Sequence, residues 1–265
     1  KILYLSFSDT DYSVNSVYIK GLRQCGVQVV DFFSNFSGLK KFSEALKFYK
    51  ANLAKADFAM VGFDSPGLVI GLRLFTRKKI IYNAVCSVYE RLVVSRGLAA
   101  KISLKAFYYW LLDFLAGHLA DLVMLESGRQ IDFFSKLFRI PKQKCFLAWT
   151  GADEEKFYFD SQIEKFPQFT VIFRARLLPE AGGEYVVQAA KLLEDKDVNF
   201  IMQAFGQELP KIRKIIEELK PQNLSLINDF LPDQELRKLM QRCHLSLGQL
   251  ADHERLERTI PHKAY

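Results

Sequence analysis

Short apolar runs alternate with amphipathic segments along the first 148 residues of this chain. The apolar runs have the length of buried strands, and the segments between them carry apolar residues at helical spacing. This alternation predicts an α/β fold in which parallel strands are joined by crossover helices into a doubly wound sheet. Strands are predicted at residues 2–7, 27–33, 58–62, 79–82, 122–125 and 145–148. Helices are predicted at residues 14–24, 39–54, 68–75, 101–119 and 130–138.

The same alternation begins again after a polar segment that contains a proline. Residues 160–168 read Asp-Ser-Gln-Ile-Glu-Lys-Phe-Pro-Gln, which is typical of a linker. We therefore predict two Rossmann-like domains, at residues 1–163 and 164–265. The second domain is predicted to have strands at residues 170–173, 199–203, 224–227 and 244–247 and helices at residues 184–193, 209–219 and 233–241. Because the chain starts inside an apolar run and ends one turn into a predicted helix, we expect it to be part of a longer protein with an incomplete second domain.

Composition excludes several classes of protein. Hydrophobic residues make up 49% of the chain and aromatic residues 14%, which excludes a disordered protein. The four cysteines form no CxxC pair and no Cys/His ligand spacing, so neither a metal site nor a disulfide framework is expected. Such thiols are typical of a reducing compartment, and we expect a cytoplasmic protein. No uncharged apolar run is long enough to predict a membrane span.

The positive charge of the chain lies entirely in its first part. Residues 1–165 carry 23 basic and 16 acidic side chains, whereas residues 166–265 carry 14 of each. A basic surface of this kind could serve nucleic acid, anionic lipid or an anionic substrate, or it could be solvated with no specific partner. No G-x-G-x-x-G follows the first predicted strand and no G-x-x-x-x-G-K-[ST] occurs, so dinucleotide-binding and P-loop proteins lose their main support.

The last residues of the chain carry the pattern of an anion site. Arg258 and Lys263 bracket Pro261, which reads as the first residue of a helix. The free N–H groups and the dipole at a helix start favour a phosphate. A cation in this position predicts a site for an anionic ligand.

Several motifs of the second part occur in the order found in one enzyme family. They are Val-Ile-Phe-Arg-Ala-Arg-Leu-Leu-Pro-Glu-Ala-Gly-Gly at residues 171–183, Gln-Ala-Phe-Gly-Gln at 203–207, Leu-Pro-Asp-Gln-Glu-Leu at 231–236 and Ile-Pro-His-Lys-Ala-Tyr at 260–265. In the first part, Gly-Ala-Asp at residues 151–153 with Phe157 is similar to the interdomain signature of the same family. Together these motifs resemble family 4 (group 1) glycosyltransferases of the GT-B fold, with the donor domain truncated.

The resemblance implies a glycosyltransferase that moves a sugar from a nucleotide-diphosphate donor, with retention and without a metal or other cofactor. Arg, Lys and helix N-termini would replace the metal by neutralising the diphosphate. The positions implied for donor phosphate binding are Arg176, Lys263, Arg258 and Arg174. Those implied to line the cleft are Asn83, Gly151, Ala204 and Gly206. The implied partners are a nucleotide sugar and a glycan or lipid-linked acceptor, not nucleic acid, and the catalytic residue is not assigned.

Two other functions stay open because the chain departs from the family at several positions. Ala175 replaces a glycine, Ala181 a lysine, Ala204 a glycine and Asn83 an acidic residue. These changes favour a catalytically inactive homologue that binds a nucleotide sugar or a glycan. A basic α/β module that binds nucleic acid is supported only by the charge of residues 1–165, and no RNA-binding signature occurs.

The segment at residues 38–50 suggests a contact with the inner face of a membrane. Its apolar residues share one helix face and lysines flank them, as in a membrane-surface helix. An ordinary amphipathic helix packed on the sheet has the same pattern. The apolar residues are Leu39, Phe42, Leu46 and Tyr49, and the lysines are Lys40, Lys41, Lys47 and Lys50.

Overall fold

The structure is a computed structural model that describes residues 1–8, 13–34 and 36–261. Its contacts divide the chain into two compact units. Unit 1 consists of Lys1–Ala152 together with residues 258–261, and unit 2 is Asp153–Glu257. No helix in the described ranges is both long and apolar enough to cross a membrane.

Unit 1 is built on one sheet of six parallel strands. The strands are β1 (Ile2–Ser6), β2 (Val29–Phe33), β3 (Phe58–Val61), β4 (Ile80–Val85), β5 (Leu122–Leu125) and β6 (Cys145–Leu147). The helices are α1 (Ser13–Gln24), α2 (Gly38–Asn52), α3 (Pro66–Arg73), α4 (Leu104–Leu119) and α5 (Gly128–Phe138). The strand order is β2-β1-β3-β4-β5-β6, and every described pair is parallel.

Both faces of this sheet are covered, which makes unit 1 doubly wound. Leu3 and Leu5 of β1 belong to a core with side chains from α2, α3, α4 and α5, while Ile2 and Tyr4 join Ile19 of α1 in a second core. Alternate residues of a strand point to opposite faces, so β1 is buried on both sides. The predicted fold class is confirmed in this unit.

Unit 2 repeats the design with four parallel strands in the order β10-β7-β8-β9. These strands are β7 (Phe169–Arg176), β8 (Val198–Phe205), β9 (Leu224–Ile227) and β10 (Leu245–Leu247). The helices are α6 (Gly183–Leu192), α7 (Leu209–Leu219) and α8 (Asp233–Arg242). Val171, Phe173 and Ala175 of β7 form a core with Val187 of α6 and Ile212 of α7.

The segment predicted as a linker is packed against unit 2. The backbone N–H of Asp160 donates to Oε1 of Gln241 (2.9 Å), and the N–H of Phe166 donates to the carbonyl of Arg242 (2.9 Å). The guanidinium of Arg237 lies 3.8 Å from the centre of the Tyr158 ring. The division of the chain therefore falls after Ala152 rather than at residue 163, because α8 supplies partners for a segment that looks solvated in the sequence.

β4 and β7 each extend three residues beyond the end that their apolar runs predict. β4 continues from the predicted end at residue 82 to Val85, and β7 continues from residue 173 to Arg176. β7 continues through Arg174 and Arg176 because it stays paired with β8. This pairing satisfies the backbone N–H and C=O groups of both arginines, and it does not depend on their side chains. A π-helix at Glu90–Ser95, between β4 and α4, has no counterpart in the predicted elements.

The amphipathic face of α2 is a core face. Phe42 packs edge-on against Phe7 with ring centres 4.6 Å apart, Leu46 joins the main core, and the buried hydroxyl of Tyr49 donates to Oγ1 of Thr76 (2.8 Å). Of the predicted membrane-facing residues, Leu39 is the exposed one. The membrane reading of α2 is therefore wrong, and the alternative of an amphipathic helix packed on the sheet is confirmed.

Candidate functional site

The carboxyl edge of the unit 2 sheet contains a topological switch point. β8 and β9 follow β7 on one side, whereas β10 returns to the other side of β7. The winding of the sheet therefore changes direction between β7 and β10, which is where the crevice of an open α/β sheet lies. Open α/β sheets bind their ligands in this crevice.

Glycine is required where the loop after β7 meets the loop after β10. Gly182 has a φ of +70°, and a Cβ placed on it would lie 2.5 Å from the backbone nitrogen of Ala251. The N–H of Leu250 donates to the carbonyl of Ala181 (3.1 Å), which fixes the two loops together. The N-cap of α6 is Gly182, which has no side chain to cap the helix. The first turn of α6 therefore presents backbone N–H groups at the switch point.

A second glycine brings the loop after β8 to the same edge. Gly206 has a φ of +131°, and its added Cβ would lie 2.9 Å from the carbonyl oxygen of Leu177. The N–H of Leu177 donates to the carbonyl of Phe205 (2.7 Å), and the N–H of Glu208 donates to the carbonyl of Leu177 (3.0 Å). The ends of β7 and β8 are thus tied by backbone contacts that a side chain at position 206 would disrupt.

The two arginines of the motif, Arg174 and Arg176, lie at the carboxyl end of β7. Arg176 is the last residue of the strand and is exposed, and Arg174 is half-buried on the same face. Ala175 between them points into the core. Lys263, the other cation expected at the donor phosphates, lies outside the described residues.

A buried ion pair fixes the turn that precedes α6. Nη1 of Arg255 lies 2.7 Å from Oε1 of Glu180, and their side chains are 14% and 1% exposed. Glu180 belongs to the 3₁₀ turn Pro179–Ala181, and Arg255 to the 3₁₀ turn Glu254–Glu257. No sequence pattern marks this pair, although Glu180 stands in the Pro-Glu of the motif. The ion pair therefore connects the turn that precedes Gly182 to the turn at residues 254–257.

Arg258, also predicted as a phosphate ligand, forms an ion pair within unit 1. Its Nε donates to Oε1 of the buried Glu90 (2.9 Å), and its guanidinium lies 4.2 Å from the centre of the Phe133 ring. The other oxygen of Glu90 accepts from Nε2 of Gln130 (2.6 Å). The hydroxyl of Thr259 donates to Oε1 of Glu126 (2.5 Å). Residues 258–259 are therefore attached to the start of α5 and to the π-helix.

Unit 1 has a cluster of neutral polar side chains at its own switch point, between β1 and β3. Nδ2 of Asn15 donates to the hydroxyls of Ser6 (3.2 Å) and Ser8 (3.1 Å), while Oδ1 of Asn15 accepts from the hydroxyl of Tyr4 (2.9 Å). A side chain on Gly62 would lie 2.8 Å from that same oxygen of Asn15. Tyr4, Ser6 and Asn15 are fully buried, so these hydrogen bonds hold the carboxyl ends of β1 and β3 and the start of α1 together.

The positions predicted to line the cleft fall into two groups. Asn83 and Ala204 are buried inside β4 and β8, where Asn83 donates to the hydroxyl of Tyr4 (3.4 Å), so these side chains do not reach an open surface. Gly206 is at the carboxyl edge described above. Gly151 has a φ of +67° and lies in unit 1, where an added Cβ would be 3.4 Å from Cγ1 of Val17.

The end of β4 is strained. Val85 has a φ of +61°, which is unusual for a β-branched residue and costs on the order of 1–3 kcal/mol. A register shift between Asn83 and Val85 accompanies it. Just beyond, the carboxylate of Asp113 accepts from the N–H of Tyr89 (2.7 Å) and holds the entry to the π-helix. Strain of this kind is concentrated at functional sites, and the apolar pattern gave no signal for it.

Burial raises the pKa of Asp113 to about 7, although the N–H groups of Tyr89 and Val88 act in the opposite direction. The unfolded carboxyl ionises near its usual pKa of about 4, so the folded state binds the extra proton between the two values. Stability should therefore fall as the pH rises from about 4 to about 7, by at most about 1.4 kcal/mol per pH unit. Asp113→Asn keeps an oxygen acceptor for the N–H of Tyr89 but has no proton to release. Its urea midpoint should therefore fall by less than that of the wild type between pH 5 and pH 8.

The exposed Asp132 provides the control for this titration. Asp132→Asn should leave the pH dependence of the wild type unchanged, because the side chain of Asp132 is 63% exposed. Parallel pH profiles for the wild type and Asp113→Asn would contradict the assignment.

Comparison with known proteins identifies the fold. No family model matches the sequence, and no match was found among curated proteins. The structure is similar to Anabaena HepE in complex with UDP and glucose, with a TM-score of 0.58 and 15% identity over 92% of this chain and 72% of that one. A glycosyltransferase from Rickettsia africae gives a TM-score of 0.58 and 14% identity over 92% of this chain and 71% of that one.

An epimerase shares the same fold. The UDP-GlcNAc 2-epimerase from Methanocaldococcus jannaschii gives a TM-score of 0.56 and 10% identity over 92% of this chain and 77% of that one. These similarities confirm the predicted α/β fold with Rossmann-like units, the GT-B fold. Among the described residues, no three His, Cys, Asp or Glu side chains are grouped so that they could hold a metal ion.

Proposed function

We propose that this chain is a glycosyltransferase of the family 4 type that moves a sugar from a nucleotide-diphosphate donor, with retention and without a metal ion. The observation that carries the proposal is the carboxyl edge of unit 2. There the exposed Arg176 ends β7 beside Gly206, and Gly182, which has no side chain, is the N-cap of α6.

This edge has the properties that a diphosphate needs. The glycosidic bond breaks as negative charge develops on the leaving diphosphate, and fixed cations and N–H dipoles stabilise that charge. Arg176 supplies the cation and the first turn of α6 the dipoles, and Lys263 is a second proposed cation. Gly182 and Gly206 let the loops after β7, β8 and β10 pack backbone against backbone, which fixes the position of this edge.

Two solved structures of the same fold support a uridine nucleotide as the donor's leaving group. HepE was crystallised with UDP and glucose, and Staphylococcus aureus MnaA, with a TM-score of 0.54 and 14% identity, was crystallised with UDP. We propose that unit 1 holds the acceptor, a glycan or a lipid-linked glycan, because its sheet has its own switch point at the carboxyl end of β1, where open α/β sheets bind ligands. The free cysteines support the cytoplasm as the proposed compartment.

Arg176→Ala should weaken UDP binding by at least about tenfold, since one charge-assisted contact contributes about 1.5–3 kcal/mol. Isothermal titration calorimetry on the chain measures the change. Lys196→Ala is the matched control, because it removes one positive charge from the turn before β8, at the amino edge of the same sheet. Equal affinities of Arg176→Ala and the wild type would exclude Arg176 from the donor site.

The epimerase similarity makes sugar epimerisation the second candidate function. The two reactions differ in their products when a UDP-sugar is supplied alone. An epimerase converts the sugar without an acceptor, whereas a transferase needs one for transfer. Product analysis with and without acceptor separates them, and nucleotide binding without either product would identify the inactive homologue favoured by Ala181 and Ala204.

A further inference from the structure

Glu90 is a completely buried acid that has no part in the donor contacts proposed above. One of its carboxylate oxygens accepts from Nε of Arg258 (2.9 Å), and the other accepts from Nε2 of the buried Gln130 (2.6 Å). Burying two charges costs free energy, and apolar side chains of the same volume often give an equally stable or more stable protein. Stability alone therefore does not account for an ion pair at this place.

Hydrogen bonds of the neighbouring backbone hold Glu90 in place. The N–H of Glu90 donates to Oγ of Ser87 (2.9 Å), and the N–H of Tyr89 donates to the carboxylate of Asp113 (2.7 Å). Both contacts lie at the start of the π-helix that follows the strained end of β4. Single π-helical turns are rare and occur frequently at functional sites. A side chain that is supported in this way can orient the group that it contacts.

The segment that pairs with Glu90 is attached to unit 1 at further points. The hydroxyl of Ser127, which caps α5, donates to the carbonyl of Arg258. The hydroxyl of Thr259 donates to Oε1 of Glu126 (2.5 Å). The guanidinium of Arg258 also lies 4.2 Å from the centre of the Phe133 ring. Main-chain and side-chain contacts together therefore fix this segment against the end of β5 and the start of α5.

The attached residues come directly before Lys263, the second proposed donor cation. Lys263 follows Thr259 by four residues in the sequence and lies outside the described residues. Four residues span at most about 14 Å, and the ring of Pro261 restricts the backbone between the two positions. The place at which Thr259 is held therefore limits where the chain can deliver the ammonium group of Lys263.

We infer that Glu90 is a positioning residue for donor binding, which acts through Arg258 on the segment that carries Lys263. The inference rests on the proposed function. Arg258 then orients this segment by pairing with Glu90, instead of contacting the diphosphate itself. A fixed cation stabilises a phosphate only when it is held at the productive distance, so loosening the segment weakens the phosphate contact and leaves the contacts of the nucleoside unchanged.

Glu90→Gln keeps the shape of the side chain and removes its charge. It should weaken UDP binding by the full chain about tenfold, which is the size of one charge-assisted contact. The affinity for uridine, which has no phosphate, should stay the same. Isothermal titration calorimetry measures both affinities, and their ratio separates positioning from a general loss of structure. The matched control is Asp121→Asn, because Asp121 pairs with Arg73 just before β5, at the amino edge of the same sheet, and both affinities should be unchanged.

Combined variants test the route of the effect. In a Lys263→Ala background, Glu90→Gln should cause no further loss of UDP affinity, whereas in an Arg176→Ala background it should cause about the same loss as in the wild type. Thr259→Val removes the second attachment and should weaken UDP binding about threefold. This variant leaves the buried ion pair intact, so it tests the inference even if Glu90→Gln does not fold.

The negative outcomes can be told apart. A loss of UDP affinity in Arg176→Ala, with no loss in Glu90→Gln or Thr259→Val, would overturn this inference and leave the proposed function standing. Equal losses of UDP and uridine affinity in Glu90→Gln would give Glu90 a structural role only, and a full further loss in the Lys263→Ala background would exclude the route through Lys263. Absence of UDP binding in the wild type would instead remove the proposed function, and this inference with it.

Discussion

Arg255→Ala is expected to destabilise unit 2 by about 3–5 kcal/mol, because removing one member of a buried ion pair leaves the other charge uncompensated. Glu180 is almost completely buried and lies 2.7 Å from the lost guanidinium. The change should appear as a lower urea midpoint. Hydrogen exchange should become faster in the turns at residues 179–183 and 253–257, which the pair connects.

A double-mutant cycle separates the ion pair from the loss of packing. Glu180→Gln with Arg255→Ala should recover part of the stability that Arg255→Ala loses, because the buried charge is then also gone. The exposed pair Lys211–Glu184 in the same unit is the control, and Lys211→Ala should cost less than about 1 kcal/mol. A similar small cost for Arg255→Ala would show that Glu180 is stabilised by other contacts. UDP affinity should also fall in Arg255→Ala, since the turn before α6 loses its support.

Arg258→Ala should cost unit 1 a similar amount, about 3–5 kcal/mol, because Glu90 is completely buried and loses its ion-pair partner. Gln130 would remain as a hydrogen-bond donor to the carboxylate, but a neutral amide offsets the charge only in part. The start of α5 should become less stable, because residues 258–259 would no longer be attached to it. Hydrogen exchange at the first turn of α5, where the N–H of Gln130 donates to the hydroxyl of Ser127 (2.9 Å), measures this change.

The control for this change is an exposed ion pair of the same unit. Lys47→Ala should change stability by less than about 0.5 kcal/mol, because the Lys47–Glu44 pair lies on the surface of α2. Glu90→Gln with Arg258→Ala should be more stable than Arg258→Ala alone. If the single and double variants unfold at the same urea concentration, the ion pair does not hold residues 258–259 in place.

The order of the elements could be predicted from the sequence because it depends on local patterns. Each strand and helix predicted between residues 2 and 247 has a counterpart, since a buried strand needs a short apolar run and a packed helix needs an apolar face. The helix predicted from Pro261 lies outside the described residues. The N-cap of α5 follows the same local chemistry, because the hydroxyl of Ser127 accepts from the N–H of Gln130 (2.9 Å). Glycines at residues 182 and 206 and the arginine at 176 stand in a motif, so the composition of the proposed donor edge was visible as well.

The sequence by itself thus determined the fold class and the residue types at the carboxyl edges, because backbone hydrogen bonding and apolar burial follow from neighbours in the chain. Tertiary structure alone decided which charges are buried and paired. Arg255 pairs with Glu180, which lies 75 residues earlier in the sequence, and Arg258 pairs with Glu90, which lies 168 residues earlier. Tertiary packing also places the apolar face of α2 in the core and leaves Ile102 and Leu104, at the start of α4, exposed. The reason is that the energy of a charge or an apolar group depends on what surrounds it in space, and that is fixed only when distant strands and helices have packed together.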